Sequence, residues 1–136
     1  MIARYYLGLS QLQLGQKKEA IENLESVASS SGVRTLSFLA KRTLAATYLS
    51  MGSMEKYEKA QQYLEAMIED PQCDLQKDDL RIQLSRVLFA EGKGKEAVKV
   101  LSDAPPLQDL KDNAYREQLN AELKWLKKTL KAEAVP

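Results

Sequence analysis

The stretch that decides the fold is residues 1–28, MIARYYLGLSQLQLGQKKEAIENLESVA. It holds a large–small pair, Leu7-Gly8, followed by Gly15 and then by Ala20. Apolar residues at helical spacing predict two helices, and Gly15 predicts the turn between them because glycine adopts the left-handed conformation at little cost. The stretch therefore predicts a helical hairpin whose small residues, Gly8 and Ala20, let the two helices approach closely.

The same order of residues returns twice along the chain. A large–small pair, a turn glycine and an alanine recur at Leu44-Ala45, Gly52 and Ala60, and again at Leu84-Ser85, Gly92 and Ala97. A recurrence of about 34 to 40 residues indicates stacked helical hairpins, each of which buries its apolar face against its neighbours. We therefore expect an all-α fold with three hairpins, at about 1–32, 34–71 and 75–106.

Large side chains are expected to fill the space beside the small ones. In the first hairpin we assign this packing role to Leu7 and to Leu24, which lies four residues after Ala20. The second helix of this hairpin is expected at about 17–29.

The last part of the chain, residues 107–136, is predicted to be a capping helix, at 107–134, and a short tail. Its leucines form a stripe at helical spacing, at Leu119, Leu123, Leu126 and Leu130. We expect this stripe to cover the last hairpin while lysines face water, at Lys111, Lys124, Lys127, Lys128 and Lys131.

Trp125 is the only tryptophan in the chain and lies on a second face of this helix, with Ala121 and Ala132. Two interpretations stay open at this stage. Either Trp125 widens the packed leucine stripe, or it anchors a partner protein or a second copy of the chain.

These residues resemble the tetratricopeptide repeat family. The signature of that family is a large–small pair, an aromatic residue or leucine three positions later, a turn glycine, and an alanine followed four residues later by a large side chain. The slot after the pair holds Tyr48 and Leu88 in the later copies, whereas Gln11 in the first copy departs from it. The closing prolines of the family have counterparts in Pro71 and Pro105.

The resemblance covers about residues 1–106 and implies a right-handed α-solenoid that acts as a scaffold. Members of the family bind peptides or helices in a concave groove lined by the first helix of each hairpin. A fainter resemblance is to the C-terminal repeats of the bacterial Sec translocon ancillary subunit and to related cell-envelope repeat proteins.

By spacing, the groove face holds eight candidate partner-binding residues, which are Tyr5, Leu9, Leu12, Arg42, Leu49, Ile82, Arg86 and Phe89. Apolar side chains with two arginines suit a partner segment that has apolar anchors and one or two carboxylates. The alternative for Leu9, Leu12 and Leu49 is packing between neighbouring first helices. The expected function is thus non-catalytic binding of a protein or peptide, and the alternative is a self-association module within a larger envelope-associated or multi-repeat protein.

Composition argues against several other functions. Lys and Arg number 20 against 19 Asp and Glu, so no field of one sign attracts nucleic acid or an anionic membrane. The chain has no histidine, which removes the usual acid–base relays and most catalytic zinc sites. We therefore expect no enzyme activity, no cofactor and no metal. The chain has no apolar stretch of about 18 residues, so we also expect no direct insertion into a membrane.

The compartment stays undetermined. Met1-Ile2-Ala3 opens directly into a helix without a capping residue, so we expect a piece of a longer protein with an anchor, a signal or more repeats in front. A domain in the bacterial cytoplasm is compatible with this pattern, as is one that faces the periplasm behind a membrane anchor. The single Cys73 has no partner for an internal disulfide.

Overall fold

The computed structural model describes residues 1–30, 32–107 and 113–134. The described residues form α-helices and loops with no strand, so the prediction of an all-α fold is confirmed. The helices are α1 (Ile2–Gln13), α2 (Lys17–Ala28), α3 (Arg34–Met51), α4 (Met54–Glu69), α5 (Lys77–Ala90), α6 (Gly94–Ser102) and α7 (Asn113–Ala134). The predicted capping helix was expected to begin at Leu107, which the structure describes but which is not helical. Residues 108–112, which include Lys111, lie outside the described residues, as do residues 135–136 of the predicted tail.

The chain divides into two compact units, Met1–Leu75 and Gln76–Pro136. The first unit contains the hairpins α1–α2 and α3–α4. The second contains the hairpin α5–α6 together with α7, which packs on both of these helices.

The turn glycines lie where the repeat pattern predicts them. Gly15, Gly52 and Gly92 each end the first helix of a hairpin with a positive φ, of 78°, 75° and 81°. A residue with a side chain adopts this left-handed conformation only with steric strain, so each of these hairpin turns favours glycine.

Small residues bring α1 and α2 together in the first unit. A Cβ added to Gly8 would lie 2.8 Å from Cγ of Leu24, and both Ala20 and Leu24 are fully buried. The packing role predicted for Leu24 is therefore confirmed.

The packing role predicted for Leu7 is wrong, because its side chain is 50% exposed. Leu44, which holds the corresponding position in the second copy, is 0% exposed because α2 packs on α3. Among the described residues of the first unit, no helix covers the matching side of α1.

In the second unit α7 caps the hairpin. Leu119 and Leu126 are buried and Leu123 and Leu130 are partly buried, which confirms the leucine stripe. The described lysines of the predicted outer side are exposed, at Lys124, Lys127, Lys128 and Lys131. A Cβ at Gly94 would overlap the side chain of Leu130, so glycine at the start of α6 lets Leu130 of α7 approach the α6 backbone closely.

Candidate protein-binding surface

The first unit brings the predicted groove residues of α1 and α3 onto neighbouring helices, which contact each other. Leu9 and Leu12 on α1 are partly exposed, as are Arg42 and Leu49 on α3. Ala46 is exposed and shares their face of α3, because its spacing from Arg42 is four residues and from Leu49 three. We call these five residues the α1/α3 strip.

Tyr5 lies beside this strip but is buried, with only 8% of its surface exposed. Its ring packs edge to face against the ring of Tyr6, with centroids 5.5 Å apart. Tyr6 is 61% exposed, so the aromatic side chain that α1 presents to solvent is Tyr6, which the groove spacing did not select.

The candidate residues of α5 are buried or contact α7 of the same chain. Ile82 is 1% exposed and has no surface to offer a partner. Arg86 donates from Nε to Oε1 of Glu122 at 3.0 Å and from Nη2 to Oε2 at 3.3 Å, and this pairing raises the pKa of the guanidinium. The ring of Phe89 packs edge to face on Trp125, with centroids 5.7 Å apart. α7 thus already contacts the arginine and the phenylalanine that were expected to meet a partner.

A buried ion cluster holds the start of α7. Asp78, only 5% exposed, accepts hydrogen bonds from Arg116 Nε at 2.8 Å and from Arg81 Nη1 at 3.1 Å. Arg116 Nη2 also donates to the carbonyl oxygen of Pro105 at 2.6 Å. Sequence reasoning missed this cluster, because an acid in the first turn of a helix has an ordinary explanation in the helix dipole and its partner lies 38 residues away.

A cleft of about 310 Å³ lies between α2, α3 and α4, and its lining includes Glu25, Tyr48, Lys59 and Tyr63. The Tyr48 hydroxyl donates to the Glu25 carboxylate, and the Tyr48 and Tyr63 rings stack with centroids 6.3 Å apart. Burial and the neighbouring Glu25 carboxylate raise the pKa of both tyrosines. A carboxylate and an ammonium group share this small cleft, so it favours no single ligand charge.

Trp125 is 53% exposed on α7. Lys128, Thr129, Ala132 and Glu133 surround it and form with it a shallow depression of about 440 Å³. The indole meets the ring of Phe89 in a T-shaped arrangement, and more than half of the residue stays exposed to solvent.

A further apolar surface lies on α1 and includes Leu7, for which packing was predicted. Its large side chains are exposed by 60% at Ile2, 61% at Tyr6, 50% at Leu7 and 72% at Leu14. We call the side of α1 that carries them the α1 outer face.

The described part of the chain holds no group of three or more histidine, cysteine, aspartate or glutamate side chains that could bind a metal ion. No described helix has the length and hydropathy needed to cross a bilayer.

Comparison with known proteins found one family. A model of the tetratricopeptide repeat matches residues 53–121, which is about half of the chain. The comparison with curated proteins found no match, and neither did the comparison with solved structures.

Proposed function

Because the chain belongs to the tetratricopeptide repeat family, whose members generally act as protein–protein interaction modules, we propose that its α1/α3 strip binds a segment of a partner protein. The accessibility of the strip on two adjoining helices supports this assignment. Tyr5 is buried beside the strip, so its proposed role is to pack beneath the strip. The proposed role of Arg86 and Phe89 is to hold α7 rather than to contact the partner.

The side chains of the strip indicate the chemistry of the partner. Leu9, Leu12 and Leu49 offer apolar contact, and Arg42 adds a guanidinium to the same surface. Such a surface suits a helix or extended segment that carries apolar anchors and one carboxylate. The proposed role is binding without catalysis and without a cofactor, in keeping with the family.

The test is selection from a random peptide library displayed on phage. We expect the selected peptides to combine apolar residues with Asp or Glu, and to bind Arg42→Glu at least about tenfold more weakly than wild type because like charges then meet. The matched control is Arg34→Glu, which makes the same charge change at an exposed position of α3. Circular dichroism checks that both variants fold. Peptides that bind Arg42→Glu as tightly as the control would overturn the assignment.

Self-association is a second candidate function, and the α1 outer face and Trp125 favour it because both expose large apolar surface. Sedimentation across a concentration series tests it, and a strictly monomeric protein would contradict it. The fainter resemblance to envelope repeat proteins implies the cell envelope as one location for the scaffold, and the cytoplasm is the alternative. Cell fractionation of the natural full-length protein distinguishes the two locations.

A further inference from the structure

We propose that the cleft between α2, α3 and α4 binds a free α-amino acid with an apolar side chain. Glu25 is expected to accept hydrogen bonds from the ammonium group of the ligand, and Lys59 to pair with its carboxylate. The ring of Tyr63 is expected to contact its side chain. These residues belong to the first unit but not to the α1/α3 strip, so the inference goes beyond the proposed peptide binding and does not depend on it.

The two charged residues of the cleft leave each other unpaired. Glu25 and Lys59 line the same cleft, yet they form no ion pair with each other. Glu25 Oε1 accepts a hydrogen bond from the Tyr48 hydroxyl, and no described residue donates to the other carboxylate oxygen. Lys59 lies 4.0 Å from Glu55, with side chains 45% and 76% exposed, and such an exposed pair is weak. Both charges of the cleft can therefore still bind a ligand.

This pair of charges favours a ligand that carries both signs. Glu25 repels an anion that approaches Lys59, and Lys59 repels a cation that approaches Glu25. A zwitterion meets an opposite charge at each end, where charged hydrogen bonds are stronger than neutral ones. Lys59 Nζ lies 5.9 Å from the centroid of the Tyr48 ring, whose hydroxyl binds Glu25, so one tyrosine side chain spans the two charges. That short span suits an ammonium and a carboxylate on the same carbon atom.

The fold holds the Glu25 carboxylate in place before a ligand arrives. Tyr48, whose hydroxyl donates to Glu25, is 0% exposed and is fixed by packing within the first unit. Lys56 Nζ also lies over the Tyr48 ring, 5.3 Å from its centroid. Because the acceptor is already ordered, binding does not have to restrict its motion, and this lowers the entropic cost of binding.

The size and lining of the cleft limit the ligand further. Its volume of about 310 Å³ lies at the lower end of the range for small-molecule pockets, about 300 to 1,000 Å³. The rings of Tyr48 and Tyr63 are parallel to within 5°, and Tyr63 is partly exposed where it lines the cleft. Its ring offers an apolar surface beside the two charges, which suits an aromatic or aliphatic side chain. A small zwitterion with an apolar side chain therefore matches the cleft in charge, size and surface.

The experiment is a titration of the isotopically labelled full chain with L-phenylalanine, followed by NMR chemical shifts of the backbone amides. We expect shifts in α2, α3 and α4 that saturate with a dissociation constant of about 1 mM, because the ligand is small and the cleft is partly open to solvent. L-Phenylalanine amide lacks the carboxylate, N-acetyl-L-phenylalanine lacks the ammonium group, and glycine lacks the side chain. Each of these three probes is expected to bind at least about tenfold more weakly.

Two variants test the assigned residues. Glu25→Gln and Lys59→Met are each expected to raise the dissociation constant for L-phenylalanine at least about tenfold, because each removes one of the two charges. Glu25→Gln keeps an oxygen that can accept from Tyr48, so it carries little risk to the fold. The matched controls are Glu69→Gln and Lys18→Met, which make the same changes at exposed residues outside the cleft and should bind like wild type. Circular dichroism checks that all four variants fold.

The proposal is overturned if L-phenylalanine at up to about 20 mM shifts no amide of these three helices, or shifts only amides of the second unit. It is equally overturned if any of the three altered probes binds as tightly as L-phenylalanine. Binding by Glu25→Gln or Lys59→Met that equals binding by its control variant would also overturn it.

Discussion

The buried ring of Tyr48 shows how a single side chain couples stability to pH. Its hydroxyl donates to the Glu25 carboxylate, and both burial and that carboxylate raise its pKa, as they do for the neighbouring Tyr63. Below the ordinary tyrosine pKa of about 10, the folded and unfolded states both keep the phenol proton. Above it the unfolded chain loses the proton first, so alkali favours unfolding.

We therefore expect the free energy of unfolding to fall as pH rises above about 10, and to fall less steeply in Tyr48→Phe. At neutral pH the same substitution should cost about 1 kcal/mol, because Glu25 loses a hydrogen-bond donor. Urea denaturation from about pH 8 to about pH 11 measures both effects. Tyr115→Phe, at an exposed residue, is the control and should follow wild type. Equal slopes for Tyr48→Phe and wild type would contradict the expectation.

At the scale of the elements, two ion pairs between described residues join α7 to α5, and they differ in how deeply they are buried. The side chains of Arg116 and Asp78 are 18% and 6% exposed, whereas those of Arg86 and Glu122 are 48% and 22% exposed. A buried carboxylate that loses a partner carries a large desolvation cost, while a partly exposed pair is screened by water. The Asp78 cluster is thus expected to contribute more to the docking of α7.

Arg116→Met is expected to lower the free energy of unfolding by about 2 to 3 kcal/mol and to weaken hydrogen-exchange protection in α7. Arg86→Met, which removes the more exposed pair, is the matched control and should cost less than about 1 kcal/mol. Denaturant titration and hydrogen exchange give the two readouts. Similar losses in the two variants, or unchanged protection of α7 in Arg116→Met, would show that the buried cluster does not hold the helix.

At the scale of the whole molecule, the fluorescence emission of Trp125 can show which of the two units binds a partner. The α1/α3 strip lies in the first unit and the only tryptophan lies in the second, packed on Phe89. We expect library-selected peptides to bind without shifting the emission of Trp125. Binding that instead uses Arg86 and Phe89 must displace α7 and expose the indole, which would shift the emission to the red. Fluorescence titration of wild type distinguishes these outcomes, with Trp125→Phe as the blank.

Much of the fold was predictable because its signals are local. Helical spacing needs only a few neighbouring residues, and Gly15, Gly52 and Gly92 each meet the backbone demand of their own turn. The close contact of Gly8 with Leu24 also lies within a single hairpin. The candidate surface was less predictable, because spacing selects a face of a helix but does not say what covers that face.

By itself, the sequence determined the helices, their turns and the small residues that let neighbouring helices pack. Only the tertiary structure decided that Leu7 faces solvent, that Ile82 is buried, and that Arg86 and Phe89 contact α7. The physical reason is that backbone conformation depends on residues a few positions apart. Exposure depends instead on side chains that are distant along the chain, as Arg86 and Glu122 are, and that meet only after folding.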